Sequence, residues 1–525
     1  MPMRADTGQP GEDAAAGPGG FACGPLTCRP ALARNSLPIG IGAGSVKRPE
    51  TIAALNRGDG AAESAGEGRG HMGKRRIQFA KPAGGVRGAA LMAAVVACAV
   101  TAAPVRAQLQ DERAVLARGE ITGTLPASRG WSGEAGGSGH PLMSPQAILA
   151  AASNFQNCIA QLWPQAARRG VSWQTFQAYT GDLEPDLHIM DLLDAQPEFT
   201  KSLWDYLDLL VNDARIAGGR EILAKYQPVF AAVEKAYGVD RHVIAAIWGI
   251  ESNFGSAVGE RPVLQSTATL ACIGRRQDYF REEFLSALEI VHRGDVRPDR
   301  LKGSWAGAFG PTQFMPTAFK RYAVDFDGDG RRDVVDSIPD VIASTANNLR
   351  MDGWIAGQTW GYEVVVPQGF NYLLADRSRL LGLQEWQRLG VQRVGGKVFP
   401  RPTDRAYLLV PAGVRGPAFL MLNNFRVIMR YNPAEAYALA IGHLADRLRG
   451  EGPLGQPWPR DERVLSLGER YETQQRLALH GFDVGEPDGR FGAKTRAAIR
   501  EFQLRAGLIP DGFASTQVLD RLRAQ

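Results

Sequence analysis

The stretch RHVIAAIWGIESNFG, residues 241–255, carries the decisive pattern of this sequence. Asp240 precedes it as an N-cap candidate, because its side-chain oxygen can accept a first-turn amide. Val243, Ile244 and Ile247 then recur at helical spacing and form an apolar face. Glu251 stands four residues after Ile247 and three after Trp248, so it falls on that same face. A carboxyl placed among apolar side chains loses hydration, which favours its neutral form and raises its pKa. Such a group can donate a proton near neutrality. The plainer alternative is a glutamate at a helix end paired with an arginine.

Outward from this helix, the pattern stays helical. SPQAILAAASNFQNCIAQLWPQAARRG opens on Ser144-Pro145, a cap and first-turn pair, and is expected to run as a helix to Gly170. GREILAKYQPVFAAVEKAYG and DYFREEFLSALEIVHRG repeat the helical period and end in glycine. Glu282, Glu283 and Glu289 on the latter are expected to be solvated charges. Three short apolar runs follow at Tyr362–Val366, Ala406–Val410 and Ala418–Leu422. The expected fold is therefore mainly α, of α+β type, with a small antiparallel sheet.

The chain has 525 residues, enough for two or three domains, and 44% hydrophobic residues, ample for a core. Its net charge is only +5, with no basic run interleaved with aromatics, so no nucleic acid partner is indicated. Residues 1–71 are rich in Gly, Ala and Pro, and are expected to be disordered or upstream of the true start. Residues 72–107 combine a cationic segment, a short apolar core and a Val105-Arg106-Ala107 cleavage pattern, the form of a signal peptide. That points to a periplasmic protein; the alternative is a lipid anchor at Cys98, within VVAC. Past the cut only Cys158 and Cys272 remain, and they either pair in an oxidising compartment or stand as two buried thiols. No CxxC or HExxH occurs, so no zinc site is indicated.

Residues 108–143 and 450–462 read as linkers. They delimit a body at 144–449 and a smaller module at 463–525. Within the body, GSWAGAFGPTQFMPTAFKRY places Ser304 and Gln313 on a glycine-rich loop that lets a ligand approach the backbone. Tyr431, Asn432 and Tyr437 lie in RYNPAEAY, where Asn432 and Pro433 also read as the cap and first residue of a helix. DFDGDGRRDVVD, Asp325–Asp336, fits an EF-hand-like loop. Asp325, Asp327 and Asp329 take positions 1, 3 and 5, the Arg331 carbonyl position 7, Asp333 position 9 and Asp336 position 12. The position-12 residue is usually glutamate, so the shorter Asp336 is a departure. The loop suits a structural Ca2+ rather than a catalytic one.

IWGIESNFG, SWAGAFGPTQFMPT, the acidic loop and RYNPAEAYALAIGHLAD together resemble the lytic murein transglycosylase B family, over roughly residues 144–449. The resemblance implies a lysozyme-like helical domain that cleaves the MurNAc–GlcNAc β-1,4 bond of peptidoglycan without consuming water or needing a cofactor for catalysis. It implies Glu251 as the acid/base and Ser304, Gln313, Tyr431, Asn432 and Tyr437 as cleft residues. Thr317 stands where the family often has serine. The segment 474–512 is similar to the three-helix peptidoglycan-binding domain of wall enzymes, through Gly481-Phe482, Asp488-Gly489, Phe491-Gly492, Thr495 and Phe502-Gln503. Phe502 and Leu504 are expected in its core. The implied partners are peptidoglycan glycan strands, with cell-wall synthesis or division proteins as further candidates, and the expected state is a monomer. The competing readings are a hydrolytic muramidase and a non-catalytic wall-binding protein.

Overall fold

The computed structural model describes residues 131–134, 140–193 and 201–525. All of them fall in one contact unit, residues 90–525. The leader at 72–107, Cys98, the segment 1–71 and most of the expected linker 108–143 lie outside the described residues.

The first helices are α1 (Pro145–Ser153), α2 (Phe155–Gln161), α3 (Trp163–Arg168), α4 (Trp173–Thr180) and α5 (His188–Leu193). The single helix expected from Ser144 to Gly170 is thus three. Ser144 does cap α1, accepting the Ala147 amide. Pro164 has no amide to bond the Ala160 carbonyl, and Asn154 is a poor interior residue, so the helix restarts at both. There follow α6 (Leu203–Leu210), α7 (Asp213–Lys225), α8 (Gln227–Tyr237), α9 (Arg241–Ser252), α10 (Val263–Cys272), α11 (Gln277–Arg293), α12 (Pro316–Tyr322) and α13 (Ile338–Met351). A short helix α14 (Leu383–Arg388) lies among the strands, and α15 (Asn423–Tyr431) and α16 (Glu435–Arg449) complete the body. The last three, α17 (Leu467–Leu479), α18 (Ala493–Arg505) and α19 (Thr516–Arg523), form the terminal module.

The strands are two-residue β1 (Arg261–Pro262) and β2 (Lys302–Gly303), then β3 (Gly361–Val365), β4 (Leu381–Gly382), β5 (Gln392–Arg393), β6 (Arg405–Leu409) and β7 (Ala418–Met421). The last five make an antiparallel sheet in the order β4-β6-β7-β3-β5. A mostly helical body with a small antiparallel sheet is the expected class. Alternate residues of the sheet serve two cores, because side chains alternate across a pleated strand. Tyr407, Leu409, Phe419 and Met421 join the helices, whereas Ala406, Leu408, Ala418 and Leu420 face a second cluster with Trp386. Both faces are covered, so the strands read as unbroken apolar runs.

The helices themselves pack as two cores. One gathers α1–α5 around α10, α11 and the phenylalanines 309, 314 and 319. The other gathers α6–α9, α13, α15, α16 and one sheet face. A disulfide joins Cys158 on α2 to Cys272 at the end of α10, across 114 residues.

Two of the α11 carboxylates are not solvated. Glu282 is exposed and pairs with Arg169, but Glu283 and Glu289 are 1% and 4% exposed. Glu283 accepts the Thr317 amide at 2.9 Å and its hydroxyl at 2.7 Å, which satisfies the N-terminus of α12 with a negative group. Glu289 takes the Lys320 ammonium at 2.6 Å. The charges fix α12 against α11, a role invisible in local spacing.

The segment 450–462 is strapped to the body. The amides of Gly455 and Gln456 donate to the Glu363 carboxylate at 2.8 and 2.9 Å, and Trp458 lies 6.2 Å from Trp204 and 6.5 Å from Phe419. The module has its own core of Leu477, Phe482, Ile499, Phe502, Val518 and Leu522. Leu504, expected inside, is 55% exposed, since two residues past Phe502 a helix has turned to its far side. Gln474 is buried with both amide ends used, accepting from the Gly489 amide at 2.6 Å and donating to the Arg490 carbonyl at 3.1 Å.

Closing a loop of this length constrains the unfolded chain. Replacing Cys158 and Cys272 together by serine is expected to lower the unfolding free energy by about 2–5 kcal/mol, measured by urea denaturation of the oxidised wild type and the double variant.

Candidate active site

Helix α9 begins as its sequence requires, with the Asp240 carboxylate accepting the His242 amide at 2.8 Å. It is not one-sided, however. Every residue from Val243 to Ile250 is buried, so the helix runs through the second core rather than along its edge. Only at its C-terminus does it meet solvent, and there Glu251 is half-buried. The helix stops because Asn253 and Phe254 turn left-handed, with φ of 47° and 58°. The Phe254 ring folds back over Gly249, where an added Cβ would sit 2.6 Å from its Cζ. Gly249 therefore lets the chain reverse tightly beside Glu251.

Tyr437, near the start of α16, donates its hydroxyl to Glu251 Oε1 at 2.6 Å. Burial pushes the Glu251 carboxyl up to about 7, and the Tyr437 hydrogen bond acts against that rise. No neighbouring carboxylate is needed to account for it. Burial and the Glu251 charge hold both Tyr437 and Tyr431 well above the ordinary phenol range, so each keeps its proton and donates.

The facing wall is the loop from β2 to α12. β2 pairs with β1, and Gly303, Phe309 and Phe314 continue the wall through isolated bridges. Ser304 is buried and its hydroxyl accepts the Ala308 amide at 3.1 Å, which holds the loop. Gln313 takes φ of 53°, a conformation a glutamine adopts only when its surroundings impose it. Its Nε2 donates to the carbonyls of Val258 and Gly310, each at 3.0 Å, and its Oε1 is buried without a partner. Tyr431 closes the wall by donating to the Thr312 carbonyl. Asn432 is exposed at the C-terminus of α15. It does not cap α16: that helix starts at Glu435 with Ala434 before it, because α15 ends only at Tyr431 and the turn between needs Asn432 to Ala434.

Glu251, Tyr437 and Tyr431 thus come together from α9, α16 and α15, and Tyr431 ties them to the loop that carries Gln313. Two contacts had no signal in the sequence. Ser252 donates to the Pro311 carbonyl, joining the end of α9 to the loop, and Thr345 of α13 donates to the Thr312 hydroxyl at 3.0 Å. A serine and a threonine in helices carry no pattern that marks such partners.

The acidic loop lies between α12 and α13. Oxygens of Asp325, Asp327 and Asp340 lie within 4.8 Å of one another. Asp340 was missed, because it sits outside the twelve-residue motif and reads as an acid in the first turn of α13. It is buried, and burial, followed in part by the Asp327 charge, pushes its carboxyl up. Asp329 is paired with Arg331 at 3.3 Å, and Asp336 with Arg300 at 2.6 Å, so the expected closing ligand is turned away. Asp333 accepts the amides of Val335 and Asp336 instead, each at 2.9 Å. Three hard carboxylate oxygens at this spacing suit a divalent cation of the calcium type.

The transglycosylase SLT domain family matches residues 154–446, and the putative peptidoglycan binding domain family matches residues 466–522. The membrane-bound lytic murein transglycosylase B of Escherichia coli (strain K12) is 31% identical over 247 residues. That alignment covers 46% of this chain, which spans 65% of the relative's length. The crystal structure of SltB3 from Pseudomonas aeruginosa in complex with NAG-anhNAM-pentapeptide superposes with a TM-score of 0.68 at 45% identity, covering 70% of this chain and 99% of that one. SltB1 from the same organism gives 0.50 at 28% identity, covering 57% and 100%.

The raised pKa of Glu251 has a consequence for stability. A carboxyl with a higher pKa folded than unfolded favours the fold at low pH, and that contribution is lost as pH rises from about 4.5 through about 7. Glu251→Gln removes the cost of the buried charge while keeping an acceptor for Tyr437. The variant is expected to be more stable than wild type by about 3 kcal/mol at pH 8 and equal to it at pH 4, measured by urea melts at both values.

Proposed function

This chain belongs to the transglycosylase SLT domain family, and from that premise we propose that it is a peptidoglycan lytic transglycosylase with Glu251 as its single acid/base. Its substrate is the glycan strand carrying peptide stems, of the kind that SltB3 binds as NAG-NAM-pentapeptide. The observation that carries the reading is the half-buried Glu251 carboxyl, raised to about 7 by burial and held by Tyr437.

At neutral pH a carboxyl with this pKa is protonated in a large fraction of molecules, so Glu251 donates to the glycosidic oxygen as the MurNAc–GlcNAc bond breaks. The cationic sugar is stabilised by its own 2-acetamido group. Glu251, now ionised, receives the Tyr437 hydrogen bond, which strengthens with the charge. It then accepts the proton of the MurNAc 6-hydroxyl, whose oxygen bonds C1 and closes the 1,6-anhydro ring. One residue suffices because its protonation state alternates, whereas hydrolysis by the usual route needs a second carboxylate beside the bond. Gln313, its Nε2 bonded to the Val258 and Gly310 carbonyls, holds the loop that forms the wall of the cleft. Asn432, exposed beside Tyr431, offers both donor and acceptor.

A structural calcium is part of the proposal. Asp325, Asp327 and Asp340 would hold it, and its charge would relieve the repulsion among them. Bound there, it would order the turn between α12 and α13, away from the proton transfer at Glu251. The cellular setting that fits this substrate is the periplasm, through the leader at 72–107, with a lipid anchor at Cys98 as the alternative. No helix among the described residues is long and apolar enough to cross a membrane.

Digestion of purified sacculi with product analysis tests the reading. Anhydro-muropeptides are expected; reducing MurNAc ends would make the enzyme a muramidase, and no fragments a wall-binding protein. Glu251→Gln is expected to lose roughly 10²–10⁴-fold or more in rate while remaining folded. Calcium at a hundredfold excess over its Kd is expected to stabilise by about 2.7 kcal/mol, seen as a rise in melting temperature that chelator reverses. Asp325→Asn with Asp327→Asn should abolish that rise, and a melting curve indifferent to both reagents would leave the loop a plain acidic turn.

A further inference from the structure

Helix α15 has a second lined face beside its cleft end. Arg426, Met429 and Arg430 lie on it at spacings of three and four residues. Together with Arg377 and Tyr407 they line a cavity of about 290 Å³. The Arg426 guanidinium sits 5.2 Å over the Tyr407 ring, which gives the cavity a flat floor. Arg426 donates to the Arg377 carbonyl at 2.8 Å, and Arg430 donates to the Asp352 carbonyl. These are neutral acceptors, which orient the guanidinium groups without cancelling their charge. Arg377 does meet a carboxylate, Glu435, but Glu435 is shared with Arg496 of the terminal module at 2.7 Å. Burial would raise the Glu435 carboxyl, and the two guanidinium groups outweigh it and hold it below its ordinary range. Of the other acids nearby, Asp376 is taken by Arg500 at 2.9 Å and by the Ser378 hydroxyl, and Asp352, beside Arg430, accepts the Tyr322 hydroxyl at 2.9 Å. Positive charge therefore exceeds negative around the cavity.

We infer that this guanidinium-lined cavity binds a carboxylate of the peptide stem carried by the glycan strand in the Glu251 cleft. Planar guanidinium forks match carboxylates in geometry and give strong, charge-assisted hydrogen bonds. Arg426 lies six residues before Asn432, about 9 Å along the helix axis at ~1.5 Å per residue, and on a different side of α15 from Tyr431, so a stem has also to pass round a helix ~10 Å wide, roughly 13 Å in all. An extended five-residue stem reaches about 17 Å at ~3.4 Å per residue, so a stem rooted on a sugar in the cleft can place its C-terminal carboxylate in the cavity. The volume suits one terminal residue rather than a whole ligand. The assignment rests on the substrate reading above, and it makes the enzyme a reader of the stem as well as of the sugar.

The test titrates the full chain carrying Glu251→Gln, which binds without cutting, with the free pentapeptide stem and with the same peptide amidated at its carboxylates. Amidation is expected to weaken binding at least tenfold. Arg426→Gln with Arg430→Gln is expected to reproduce that loss on the unmodified peptide. Equal affinity for the two peptides, or a folded double variant that binds as its parent does, overturns the inference. Should the double variant melt early, Arg430→Gln alone decides, since Arg430 is exposed. In the catalytically intact chain, the arginine variants should slow cleavage of stem-bearing strands about tenfold or more and leave amidase-stripped strands within twofold; equal slowing on both overturns it. If wild type cuts neither strand, the transglycosylase reading fails, and the peptide titration still decides the cavity.

Discussion

The candidate site turns on one carboxyl half-buried at the solvent end of a buried helix. Helix α9 has no polar face to spare, so Glu251 can reach solvent only where Asn253 and Phe254 reverse the chain. That position raises the pKa by desolvation, and the Tyr437 hydroxyl limits the rise. The two effects oppose each other, and their balance lies near neutrality, as the proposed acid-then-base role requires. A fully hydrated glutamate would be ionised too early. One without Tyr437 would hold its proton more tightly and donate it less readily.

The rest of the site follows from holding that balance. Tyr437 is supplied from 186 residues away, so α9 and α16 must pack in one register. The facing loop is pinned by Ser304, by the Ser252 bond to Pro311 and by the Tyr431 bond to Thr312. Gln313 is held left-handed within it, with an unpaired buried oxygen. Both features cost stability on their own, and a packed, disulfide-stapled first core behind the loop can carry that cost. Glu283 contributes from the same side, since its grip on Thr317 sets where α12 begins.

The terminal module is joined to the body by charge as well as by chain. Arg496 and Arg500 reach Glu435 and Asp376, and the Val414 amide of the body donates to the Asp511 carboxylate at 3.0 Å. Glu435 stands two residues before Tyr437, so one end of the module contact lies within a helical turn of the acid's partner. A wall-binding module on such an attachment would hold the strand and the cleft at a restricted separation, which raises the effective concentration of the substrate.

The sequence by itself determined the fold class, the three longer strands and Glu251 as the candidate acid. These rest on local rules: helical period, apolar runs, caps at Asp240 and Ser144, and a carboxyl at a spacing that buries it. The motif resemblance supplied the remaining cleft residues, because a loop such as 303–314 has no period to read. Tertiary structure alone decided the rest. Glu283 and Glu289 look solvated along their helix and are buried because α12 brings Thr317 and Lys320 over them. Asp340 replaces Asp336 in the acidic cluster because Arg300, 36 residues before Asp336, reaches that carboxylate from outside the motif. The pKa of Glu251 is of the same kind: spacing places it on a helix, but only the packing of α16 and the loop around it sets how much water remains. Local sequence encodes what one element can do; burial and charge pairing depend on which elements arrive beside it.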